Sequence, residues 1–137
     1  MIDVNVIPVA VLTRQLMTQM LNRKNGKKSA VIFVASCQVI TLFAGHTVYG
    51  PTKRYMDTLA KAVYHENKGR MDAMSYQLGL TSTKMVGHYR ENIMCISARQ
   101  AAMAALSDIG YEFMSEGHWK HEICNWVLRK AYYFFPN

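Results

Sequence analysis

Apolar and polar positions change their period several times along this chain, and each change marks an expected element. Between residues 5 and 22, Val9, Leu12, Leu16 and Met20 recur at three- and four-residue steps, with Val11, Met17 and Leu21 beside them. That spacing places them on one side of a helix, and Pro8 suits only its first turn. Asn22 to Ser29 is polar and basic around Gly26, which reads as a turn. Ala30-Val-Ile-Phe-Val-Ala35 is an unbroken, β-branched apolar run. It predicts a strand covered on both faces, as in a parallel sheet. A loop over residues 41–48 then leads to a second helix at about 49–67. Tyr55, Met56, Leu59, Ala60, Ala62 and Val63 give that helix its apolar stripe, and Gly69 punctuates its end. Met71 to Tyr76 predicts a second short strand, followed by Leu78-Gly79. Helix, strand, helix, strand is the alternation of a parallel α/β sheet.

The rest is more helical. Ser97-Ala-Arg-Gln100 is a capping-box sequence before Ala101 to Leu106, and Gly110 stops that helix. Residues 119–134 predict a last helix with Trp119, Ile123, Trp126 and Val127 on one side, expected to be core. No repeat or linker divides the 137 residues, so one domain is expected. Half the residues are apolar and 18% are charged, which excludes a disordered chain. The longest apolar runs are too short to span a membrane, and Val6 to Leu12 lacks the basic flank of a signal peptide. The net charge of +7 is scattered; only Arg23, Lys24, Lys27 and Lys28 cluster, as a solvated loop, and no nucleic-acid partner is expected. Three widely spaced cysteines, Cys37, Cys95 and Cys124, suit free thiols in a reducing intracellular compartment. The mitochondrion and the endoplasmic reticulum membrane both stay open as addresses. Ten methionines favour a buried or partner-covered surface.

The chemistry concentrates at Tyr49-Gly50-Pro51-Thr52-Lys53, with Ser36 thirteen residues upstream of Tyr49. Residues four apart on a helix share a face at roughly 6 Å. An ammonium one turn from a phenol favours the phenolate, which turns a weak acid into a usable proton donor. Ser36 closes the preceding strand, where a hydroxyl can hydrogen-bond the same carbonyl oxygen. A lone Tyr-x-x-x-Lys is equally an ordinary surface pair. The apolar strand ending in a hydroxyl, the loop and the amphipathic helix make the set more specific.

From about Asp3 to Met85 the chain resembles the short-chain dehydrogenase/reductase family, in its 17β-hydroxysteroid dehydrogenase and very-long-chain 3-oxoacyl-CoA reductase branch. Asn5 resembles the family asparagine that helps hold a proton-relay water. Ser36 resembles the substrate-orienting serine, and Tyr49 and Lys53 the catalytic acid/base and its ribose-binding lysine. Leu78-Gly79-Leu80-Thr81-Ser82-Thr83 is similar to the segment on the nicotinamide side of the cofactor, although Leu78 stands where the family usually has proline. The resemblance therefore implies catalytic residues Asn5, Ser36, Tyr49 and Lys53. It implies cofactor contacts at Tyr49, Lys53, Gly79 and Thr83, and NAD(P) as cofactor if the protein is active, otherwise none. The family's Gly-rich nucleotide loop belongs well before its asparagine, and none precedes Asn5 here. The expected fold is thus α/β, an incomplete Rossmann-like parallel sheet comprising the second half only. Residues 1–85 would form the catalytic-half core and 86–137 a helical extension.

Two functions follow as expectations. One is NAD(P)-dependent carbonyl reduction, with the nucleotide-binding half on another chain or lost. The other is a non-catalytic subunit of a larger assembly, mitochondrial among the candidates, derived from such a reductase. A sheet with an open edge needs another protein chain to cover it. The resemblance adds the helices at 5–22 and 49–67 as contact surfaces. The aromatic tail Ala131-Tyr-Tyr-Phe-Phe135 could meet a membrane interface or dock on protein, with protein preferred. His118, His121 and Cys124 recur at three-residue steps but read as a plain helix face, and no metal site is expected.

Overall fold

The structure, a computed structural model, describes residues 1–24, 26–40, 43–87 and 89–134, without the Tyr132 side chain. Thr41 and Leu42 of the expected loop, and Phe135 of the aromatic tail, lie outside the described residues. A short helix α1 (Ile2–Asn5) breaks at Val6 and continues as α2 (Ile7–Leu21), with Pro8 in the first turn. Strand β1 (Ser29–Val34) and helix α3 (Tyr49–Glu66) follow, then strand β2 (Met71–Tyr76). β1 and β2 are parallel, in register from Ser29 opposite Met71 to Val34 opposite Tyr76. Their crossover is α3, as a parallel pair requires.

Two small pairings escaped the sequence pattern. Strand β3 (Thr81–Ser82) pairs in parallel with β4 (Ile96–Ser97), which leads into helix α4 (Ala98–Asp108). Ser97 and Gln100 close the expected capping box, each bonding the other's backbone N–H. Strand β5 (Met114–Ser115) then joins β2 in parallel, so the main sheet has three strands in the order β1-β2-β5 rather than two. Gly117, at φ 76, follows β5. A Cβ there would come within 2.5 Å of the Tyr76 ring, so both the turn and the close approach require glycine. The chain closes with helix α5 (Trp119–Phe134).

Helices α2 and α3 share one face of the sheet. Phe33, Ala60, Val63, Met71 and Ala73 form the core there, with Val9, Met17, Met20 and Leu21 of α2 packed against it. On the other face, Met74 and Tyr76 meet Ala105 of α4, with Ile32 at the margin. The expectation that β1 is covered on both faces is corrected: Val34 is 47% exposed and Ala30 is also exposed. α4 packs over β2, and β1 lies beyond it at the sheet margin. Among the described residues β1 pairs on one side only.

The expectation that Trp119, Ile123, Trp126 and Val127 are core is overturned. All four are more than half exposed. The stripe is real, but α5 turns its other side inward, burying His121 and Asn125.

Candidate active site

Each side chain of the expected set is delivered by an element that ends nearby. β1 stops at Val34, and Ser36 opens a 3-10 turn over Cys37–Val39, its Oγ accepting the Gln38 N–H at 3.3 Å. Ser36 is buried, and its Oγ lies 3.9 Å from the Cys37 sulfur. Burial pushes the Cys37 thiol up, against a smaller opposing effect of the Ser36 hydroxyl. The Cys37 N–H donates to the Leu78 carbonyl at 3.1 Å, which ties the serine loop to the segment after β2.

Tyr49 is the first residue of α3, and Pro51 falls within the same first turn, where its missing N–H costs nothing. Lys53, one turn on, holds its Nζ 5.7 Å from the Tyr49 ring centroid. The same ammonium donates to the Val34 carbonyl at 2.9 Å, so Lys53 spans from α3 to the strand end just before Ser36. Burial lowers the Lys53 pKa. The Asn5 amide donates to Thr52 Oγ1 at 3.2 Å, and Thr52 Oγ1 donates to the Tyr49 carbonyl at 2.8 Å. Asn5 is thereby attached to the first turn of α3. Nearby, Gln38 Nε2 and His46 Nδ1 are 2.8 Å apart, and the His46 ring meets Tyr49 edge-on at 5.9 Å.

Ser36, Tyr49, Lys53 and Asn5 are therefore joined through Val34, Thr52 and α3, although 48 positions separate Asn5 from Lys53 in the sequence. Gly79 and Thr83 arrive by a different route. Gly79 follows Leu78, which the Cys37 N–H holds beside the serine loop. Thr83 is half-buried and opens the 3-10 turn over Lys84–Val86 without capping it through its side chain.

The donor chemistry fits the ribose end of a nicotinamide dinucleotide: an ammonium beside a tyrosine ring at the end of a parallel strand. A nicotinamide held there by Tyr49 and Lys53 would supply or accept a hydride. A family model for short chain dehydrogenases matches residues 1–94, which is more than half the chain. The chain belongs to the short chain dehydrogenase family. It is 28% identical to hydroxysteroid dehydrogenase-like protein 1 of Gallus gallus, over 90% of this chain and 38% of that protein. It is 27% identical to very-long-chain 3-oxoacyl-CoA reductase-B of Danio rerio, over 93% of this chain and 40% of that protein. The chain thus spans less than half the length of these curated relatives. Among solved structures it resembles a chain from a study of 7beta-hydroxysteroid dehydrogenase stereoselectivity. The TM-score is 0.74 at 19% identity, over 97% of this chain and 52% of that one, which establishes the Rossmann-like fold.

Two sets of contacts in this dehydrogenase-family chain were not read from the sequence. Asp57, one turn beyond Lys53 on α3, is 1% exposed. It accepts from Ser75 Oγ at 2.7 Å, Gln77 Nε2 at 3.0 Å and Lys61 Nζ at 2.8 Å. Burial raises its pKa, but the three donors outweigh that and hold the carboxyl below its usual range. The cluster clamps α3 to β2 and so fixes the helix that presents Tyr49 and Lys53. The second cluster is His121 of α5, whose ring fills the place a Gly79 side chain would take, 2.7–2.9 Å from the would-be Cβ. Its Nε2 lies 3.1 Å from the Leu80 carbonyl. The three-residue steps at 118, 121 and 124 mark a helix face, as read. Only the fold shows that the face lands on the Gly79 segment.

Proposed function

We propose that this chain carries the proton-transfer half of an NAD(P)-dependent carbonyl reductase or alcohol dehydrogenase. The observation that supports this best is the bridge from Lys53 Nζ to the Val34 carbonyl, with the same ammonium 5.7 Å from the Tyr49 ring. It supports this reading because the ammonium reaches the end of the strand just before Ser36 while lying beside the Tyr49 ring. In reduction, Tyr49 donates its hydroxyl proton to the carbonyl oxygen as the carbon gains hydride. Lys53 stabilises the charge left on the phenolate, and Ser36 orients the oxygen by a hydrogen bond. Asn5, through Thr52, steadies the first turn of α3. The Gly79 and Thr83 segment forms the nicotinamide side. The names of the relatives point to a hydrophobic ketone, a steroid or a 3-oxoacyl thioester, as the substrate class.

The nucleotide-binding part of the fold pairs with the open edge of β1, whether it comes from the same protein or another. The exposed apolar side chains of α1 and α2, among them Ile7, Val11, Leu12 and Leu16, then meet a second chain together with α3. The test uses the complete native assembly, with NADPH and a ketone of either class. Tyr49→Phe should lower turnover by about 10²–10⁴-fold while NADPH still binds. Full turnover in Tyr49→Phe would instead support a non-catalytic subunit, for which only assembly would matter.

A further inference from the structure

Ser36 and Tyr49 are thirteen residues apart and sit on different elements, yet hydrogen bonds tie the two places together. At the serine end, the Gln38 N–H donates to Ser36 Oγ at 3.3 Å, which holds Gln38 in the 3-10 turn. At the tyrosine end, the His46 N–H donates to the Phe43 carbonyl at 3.1 Å and closes a turn. Gly45 occupies the third place of that turn at φ 83, a conformation that favours glycine. The His46 carbonyl accepts the Gly50 N–H at 3.1 Å, so His46 is bonded to the first turn of α3. The two ends meet where Gln38 Nε2 donates to His46 Nδ1 at 2.8 Å.

The pair bears on Tyr49 directly. The His46 ring meets the Tyr49 ring at 61° with 5.9 Å between centroids, inside the range of about 4.5–7 Å that edge-on aromatic pairs prefer. A path of contacts thus runs from Ser36 Oγ through Gln38 and His46 to the Tyr49 ring. It is separate from the Lys53 bridge to the Val34 carbonyl, which fixes the ammonium. Histidine suits the place because one short, rigid side chain carries both an acceptor for Gln38 and a ring for Tyr49. Proton transfer depends steeply on such placement: a displacement of about 1 Å can slow a reaction on the order of a hundredfold. His46 is exposed and Gln38 half-buried, so neither side chain is part of the core.

We propose that His46, held by Gln38, is a positioning residue that sets the Tyr49 ring against Ser36. The inference rests on the carbonyl-reductase reading of the site, and His46 acts through Tyr49 without exchanging a proton with the substrate. The test uses the complete native assembly, NADPH and a ketone that the wild type reduces. His46→Leu removes both the acceptor and the ring, and should lower kcat about tenfold to a hundredfold. KM for the ketone and the affinity for NADPH should stay within about twofold. Gln38→Leu should lower kcat in the same way, and the double variant should fall no further than the worse single one, because the two side chains act as one unit. With NADPH deuterated at the transferring position, the isotope effect on kcat should rise in each variant, since a misplaced proton donor slows the step in which hydride moves. A purely structural loss would leave that ratio alone. Unchanged far-UV circular dichroism and urea midpoint confirm that the variants fold. Single variants that keep kcat within about twofold overturn the proposal, as do losses that add in the double variant. A loss confined to KM overturns it in favour of direct substrate contact by His46 or Gln38. A wild type that reduces no ketone sinks the carbonyl-reductase reading and this inference with it, whereas full turnover in His46→Leu sinks this inference alone.

Discussion

Helices α3 and α5 both bury polar side chains, and they do so with opposite consequences. α3 buries Asp57 and supplies it with donors from Ser75, Gln77 and Lys61, while its apolar Met56, Ala60 and Val63 enter the core. α5 buries His121 against the Leu80 carbonyl and Asn125 beside Glu116, while its aromatic side chains face out. The α2–α3–β1–β2 layer thus carries its apolar side chains on the sheet and holds Tyr49 and Lys53 in place. α5 is a lightly held element, gripped by polar contacts on one side and awaiting cover on the other. The candidate site residues sit on the first, and the exposed aromatic side of α5 lies on the second.

The most damaging change to that contrast is Asp57→Ala. It strips the buried acceptor from Ser75 and Gln77, which costs about 1–3 kcal/mol for each donor left unpaired, while the part-exposed Lys61 turns to water. Urea unfolding of the wild type and the variant measures the loss. The pH dependence carries a second signature. The folded Asp57 pKa lies below its ordinary 3.8, because the three donors outweigh the burial that raises it. Its contribution is therefore present above the unfolded value and is lost as pH falls through the folded one. Asp57→Ala should flatten the acid limb of the stability curve. An unchanged midpoint and an unchanged acid limb would show that α3 is not clamped as described.

Much of the α2–α3–β1–β2 layer was legible in the sequence. The Met71–Tyr76 strand and the Tyr49–Glu66 helix carry extended signals, and outside that layer the Ser97–Gln100 capping box carries a local one. β5 escaped because Met114 and Ser115 are too few to alternate, and β3 and β4 escaped for the same reason. The Asp57 cluster joins positions 18 and 20 residues apart across a helix–strand contact, a distance no local pattern encodes. α5 is the more instructive case. Periodicity grouped Trp119, Ile123, Trp126 and Val127 correctly, but it fixes which residues share a side and not which way that side turns. The presumption that the apolar side faces inward failed because Gly79 offers a recess that the His121 ring fills.

That recess makes Gly79→Ala the next test. A Cβ would lie 2.7–2.9 Å from three atoms of the His121 ring, so the ring must move or α5 must lift. Overpacking of this kind costs about 1–3 kcal/mol. The loss should be local. Amide hydrogen exchange of 119–134 should quicken while β1, β2 and α3 keep their protection. If exchange rose equally in β2 and α3, the two regions would form one cooperative unit, and the division drawn between them would be wrong.

The smallest expected effect is the sharpest probe of α5 alone. Burial lowers the His121 pKa below its ordinary 6.5, and the nearby His118 and Lys120 charges act in the same direction, against hydrogen bonds to the Leu80 and Met94 backbone. The unfolded or undocked helix takes up the proton first, so protonation favours release. The docking contribution is present above about 6.5, declines as pH falls and is gone below the folded value. Exchange in α5 should therefore quicken on mild acidification, before the carboxylate-dependent loss at Asp57 begins. His121→Gln keeps a hydrogen-bonding side chain but cannot titrate, and it should abolish this pH dependence while leaving the Asp57 limb intact. The two limbs would then belong to two regions, α5 loosening near the histidine range and α3 only in the carboxylate range. A pH dependence that survives in His121→Gln would assign the titration to another group and remove His121 as the contact that holds α5 down.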